Sequence, residues 1–114
     1  MKNQRDPDHP IIESPHLYDI IDFHYHHDGE DYKESYIDLV LKKDDLLRRL
    51  RFLEPKDLKI EKGFPCPTRG LCILDVSHHQ LERINVHVSD FEASHGSVTF
   101  WAYKVIDLDK PEKI

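Results

Sequence analysis

The chain has 114 residues, 39 % hydrophobic and 33 % charged, with 16 basic and 22 acidic side chains and a formal net charge of −6. That length is one domain. The balance excludes a disordered chain, and the negative charge argues against non-specific nucleic-acid binding, which needs clustered Lys and Arg. No run of about 18 apolar residues occurs, so no membrane-spanning helix is expected. The N-terminus also lacks an apolar signal core. A cytoplasmic location with reduced thiols is therefore expected for the two cysteines, Cys66 and Cys72.

In chain order, residues 1–16 read as an extended N-terminal arm. Pro7, Pro10 and Pro15 punctuate it, and Ile11 and Ile12 are placed to pin it to the body. Residues 17–108 form a single β-rich domain, and 109–114 a polar C-terminal tail. Residues 17–27 are predicted as a strand with Leu17, Asp19, Ile21, Phe23 and Tyr25 on the core face and His24 and His26 on the other. Asp28-Gly29 signals a tight hairpin, because both types tolerate positive φ. Residues 32–43 return as a second strand that buries Ile37, Leu39 and Leu41.

The stretch from Asp44 to Leu53 is ambiguous. Leu46, Leu47, Leu50 and Leu53 make a helical stripe with an Asp cap and Pro55 as a stop, which favours a short helix. The strand alternative points Leu50 and Phe52 inward. Residues 57–62 form a brief strand, 63–70 a Gly/Pro loop containing Cys66, and 71–77 a buried strand in which Cys72 packs as a small hydrophobe. His78-His79-Gln80 is a connection. Residues 81–90 alternate, with Ile84, Val86 and Val88 facing in. Residues 91–96 are a turn, and 97–108 a last strand with two apolar faces. The expected fold is mainly β or α+β. It is an antiparallel sheet of about six strands, a sandwich or partly open barrel, with at most the one helix at 44–53.

Nine histidines occur in the chain. His24 and His26, two apart on a strand, project from the same face about 6–7 Å apart at their bases, a spacing at which two imidazoles can bind one metal. Glu30 follows. The spacing His-x-His-x3-Glu resembles the central part of the first cupin motif, over seven residues. That resemblance implies a small antiparallel β-barrel, as an enzyme or a binding protein, holding a divalent transition metal with His24, His26 and Glu30. It also implies a later histidine as fourth ligand, with His78, His79 and His87 as candidates. Tyr18 and Ile37 stand where the motif has flanking glycines.

Tyr18, Tyr36, Trp101 and Tyr103 fall on the secondary faces of their predicted strands, and together would form an apolar partner surface. No GxSxG, phosphate-binding loop or dinucleotide fingerprint is present. The leading expectation is thus a non-catalytic protein-binding module, inhibitor- or immunity-like or self-associating, with no nucleic-acid or membrane partner. The alternative is the metal-binding, cupin-like barrel.

Overall fold

A computed structural model describes residues 6–62, 70–90 and 98–110. The turn predicted at 91–96, most of the Gly/Pro loop with Cys66, and the end of the tail lie outside the described residues. Eight strands are described: β1 (Asp19–His26), β2 (Tyr36–Lys43), β3 (Leu46–Leu53), β4 (Lys56–Ile60), β5 (Leu71–Asp75), β6 (Val86–Asp90), β7 (Val98–Ala102) and β8 (Lys104–Asp107). They form two antiparallel four-stranded sheets, ordered β1-β2-β3-β8 and β4-β7-β6-β5. Among the described residues no helix is long and apolar enough to cross a membrane.

The core lies between the sheets and follows the alternation of period two. Ile37, Leu39 and Leu41 of β2, Leu50 and Phe52 of β3, Val86 and Val88 of β6, and Phe100 and Ala102 of β7 are essentially inaccessible to solvent. Phe52 and Phe100 meet edge to face across it, with centroids 5.1 Å apart.

Four elements differ from the sequence expectation. First, residues 44–53 contain no helix: β3 pairs with β2 over eight residues, after a two-residue turn at Asp44 and Asp45. A ten-residue helix is marginal by itself, whereas the ladder removes Leu50 and Phe52 from water completely. Leu46 and Leu47, half of the helical stripe, remain exposed. Inward-pointing Arg48 is accommodated through bonds to Asp107 Oδ2 and to the Ile11 carbonyl, both at 2.9 Å.

Second, β1 keeps the predicted core face only beyond a bulge, where Phe23 packs on the core. A bulge at Ile21 lies between the pairs Ile20↔Leu41 and Asp22↔Val40. It reverses the strand's parity, so Ile20 and Phe23, three apart, both pack on the core. Ile21, Leu17 and Tyr25 are exposed.

Third, Asp28-Gly29 is not a two-residue hairpin turn. His26 pairs with Tyr36, and residues 27–35 form a longer connection with a 3-10 turn, Tyr32–Glu34. Asp28 organises it by accepting bonds from the amides of Glu30 and Asp31.

Fourth, the stretch predicted as one last strand is divided between the sheets. β7 and β8 belong to different sheets, with Tyr103 between them, just as Glu54 and Pro55 separate β3 from β4. Because β3 pairs with β8 and β4 with β7, a two-stranded ribbon turns one corner and joins both sheets. Glu54 takes a left-handed backbone (φ 51°) at that corner. The Tyr103 amide donates to Leu53 O at 2.8 Å and the Glu54 amide to Ser35 O at 3.0 Å.

The Glu54 side chain is 1 % exposed. Arg83 answers it: Nε lies 2.9 and 2.8 Å from the two carboxylate oxygens, and Nη2 also engages Oε2. The guanidinium sits 4.1 Å above the Tyr103 ring. These hydrogen bonds from Arg83, opposed by burial and helped by the charges of Arg83, Lys56 and Lys33, hold the Glu54 carboxyl below its usual 4.5.

Arg83→Met strands a buried carboxylate and is expected to cost about 3–5 kcal/mol in urea unfolding. Glu54→Gln leaves a partly exposed guanidinium that can rehydrate, and should cost less, about 1–3 kcal/mol; equal losses would contradict this asymmetry. Since the folded-state pKa is depressed, the pair's stabilisation is complete above about pH 4.5 and is lost as pH falls through the depressed value. Glu54→Gln should therefore flatten the acid limb of the stability profile, and an unchanged limb would refute the assignment. Gly29 lacks a positive φ and has open space at its missing Cβ. Gly29→Ala should accordingly stabilise by about 0.4–1 kcal/mol, where a tight-hairpin glycine would destabilise.

Candidate metal centre

On the outer face of the first sheet, the register His24↔Asp38 and His26↔Tyr36 places both histidines beside β2. Their rings gather around Tyr36. His26 stacks on it at 4.9 Å and 24°, and the His24 centroid is 6.2 Å away. Arg51 lies 3.9 Å over the same ring while holding Asp38 bidentately at 2.8 and 2.9 Å. Glu30 is in the 27–35 connection, exposed to solvent. His24, His26 and Glu30 do not bring their donor atoms together into a ligand group. Glu30 lies in that connection, four residues beyond the end of β1, with its amide held by Asp28 Oδ1.

The four aromatics of the predicted partner surface are also dispersed. Tyr18 is 4 % exposed and belongs to the core. Tyr36 is on the outer face of the first sheet and Tyr103 at the corner under Arg83. Trp101 packs on a small second apolar cluster of Cys72, Leu74 and Val76. These positions do not make one patch.

A different set converges. The N-terminal arm lies along β5, the edge of the second sheet. Asp8 bridges Leu74 in antiparallel fashion, His9 N donates to Ile73 O, and Asp75 N donates to Pro7 O, both at 2.8 Å. This register carries Asp6 past the end of β5. There Asp75 Oδ1 accepts the Ser77 amide at 2.9 Å and its hydroxyl at 2.6 Å, and turns the chain into a 3-10 turn, Ser77–His79. Gln80 ends that turn in the left-handed region. The consecutive His78 and His79 rings stand edge to face, 4.5 Å apart.

Asp6 Oδ1 is 2.9 Å from His79 Nε2 and 3.1 Å from His78 Nε2. One donor atom from each of the three residues lies within 4.8 Å of the others, and among the described residues this is the group of three that does so. With bonds of about 2.0–2.2 Å, a tetrahedral ion separates neighbouring donors by roughly 3.3–3.5 Å. The two observed separations need to open by only a few tenths of an ångström. The Asp6 carboxyl is pushed below its usual 3.8, first by the hydrogen bond from His79, against desolvation, and then by the charges of both histidines. It is thus in the ionised form a ligand requires. His78 is 56 % exposed and His79 35 %, which leaves an approach from solvent and room for water as a further ligand.

His87 flanks the group. Its ring is flat against Trp101 (3.7 Å, 4°). Burial pushes its pKa down from 6.5, against the attraction of Asp6 and with the repulsion of His79. His78 and His79 stand out in the sequence as an adjacent pair, but Asp6 is 73 residues from His79 and carried no signal beyond its place in the arm. Comparison with models of protein families, with curated proteins and with solved structures finds no match to the chain.

Proposed function

We propose that this protein is a metal-binding domain that takes a divalent transition ion of the zinc, nickel or copper type at Asp6, His78 and His79. The carrying observation is the convergence of three donor atoms within 4.8 Å from an arm and a turn far apart in sequence. Two imidazoles and one carboxylate suit late first-row ions better than Ca²⁺ or Mg²⁺, which prefer all-oxygen sets. The reading is binding rather than turnover. His87, the neighbouring titratable group, has its ring face packed on Trp101.

Trp101 is the chain's one tryptophan, so the site has a built-in reporter through His87. Titration with Ni²⁺ or Cu²⁺ should quench its fluorescence saturably, with reversal by EDTA. His78→Asn with His79→Asn removes two ligands, and should weaken the titration by more than the about 10–100-fold lost when an outer-shell partner is removed. His24→Ala with His26→Ala should leave it unchanged. Quenching that survives the first pair, or disappears with the second, would overturn the assignment.

A further inference from the structure

We infer that metal at this site fastens the N-terminal arm over the open edge of β5. The inference rests on the metal-binding reading and adds a consequence to it.

In the order β4-β7-β6-β5, β5 has β6 on one side only. An uncovered edge strand presents unpaired amides and carbonyls and is a template for pairing with other chains. Its occupant here is the chain's own arm. The arm is firmly held at one end, where Ile12 is 4 % exposed in the core and Arg48 donates to Ile11 O.

Towards its tip the hold is lighter. Pro7, Asp8 and Pro10 are exposed, so little apolar burial holds residues 6–10. Across the seam run the Asp8↔Leu74 bridge, the two backbone hydrogen bonds, the attraction between His9 and Asp75, and Asp6 on the two histidines. Backbone bonds contribute about 1 kcal/mol each, and a segment held this lightly opens locally.

Asp6 is the arm's contribution to the ligand group, while His78 and His79 belong to the turn that leaves β5. An ion shared by all three therefore ties the arm at Asp6 to the far end of the strand it covers. Lifting the arm breaks the Asp6–metal bond while His78 and His79 keep theirs, so opening is suppressed by the ratio of 1 + [M]/Kd for the closed form to the same term with the weaker Kd of the two histidines alone.

Amide hydrogen exchange of the full chain tests this. The His9 and Asp75 amides, which bond across the seam, are the reporters, and the Phe52 amide in the core is the control. With Zn²⁺ at a free concentration of 100 times Kd, exchange at His9 and Asp75 should slow selectively relative to EDTA, by a factor equal to the affinity that Asp6 adds and at most about 100-fold, with Phe52 much less affected. Asp6→Asn should abolish most of that slowing. Calorimetric Zn²⁺ binding is measured on the same samples. Binding without selective slowing at the seam overturns the fastening and leaves the metal reading intact. Absence of Zn²⁺ binding overturns both.

Discussion

Two sheets can share one core only if something fixes how the chain passes from one to the other, and here that is the Glu54–Arg83 pair. The paired strands β3/β4 and β7/β8 turn the corner together. The turn requires Glu54 to adopt positive φ and its carboxylate to be almost without solvent. A buried carboxylate is tolerable only with a charged, hydrogen-bonded partner. Arg83, itself at positive φ, supplies that partner and covers the ring of Tyr103, which separates β7 from β8. Asn85 completes the junction, with its amide on Ala102 O and its side chain on Tyr103 O, both at 3.0 Å. Three chain segments that are remote in sequence are held in register at one point.

The same logic of polar groups at chain turns places the candidate site. Asp75 sits at the end of β5 and uses its carboxylate to start the 3-10 turn, which aligns His78 and His79. The arm's antiparallel pairing with β5 then sets where Asp6 falls. None of these three donors lies on a core-facing strand position, so the proposed site sits at the edge of the second sheet, outside the packing between the sheets. The second small apolar cluster of Cys72, Leu74 and Val76, with Trp101 against it, supports the strand face on which His87 is stacked.

The histidine pair on β1 shows how a sound local deduction can fail at the next level. His24 and His26 do share the outer face of a strand, as spacing predicts. A metal site needs a third donor, and its arrival depends on the path of 27–35. Asp28 captures the amides of Glu30 and Asp31 and sets that path. Around Tyr36 the two imidazoles instead join Arg51 in a ring-and-guanidinium cluster.

What could be read from the chain alone was what repeats with the strand period. The class of fold, the antiparallel pairing, and the inward sets Ile37–Leu39–Leu41 and Val86–Val88 follow from alternation, because burying one face of a strand is a local pattern. The β3 segment carried both periods at once. Its leucines fit a helix, and only the neighbouring strand, by removing Leu50 and Phe52 from water, decided between them. The bulge at Ile21, the corner at Glu54 and Tyr103, and the meeting of Asp6 with His78 and His79 leave no periodic trace. They arise from the pairing of segments distant along the chain, and such a pairing energy exists only once the tertiary fold has brought them together.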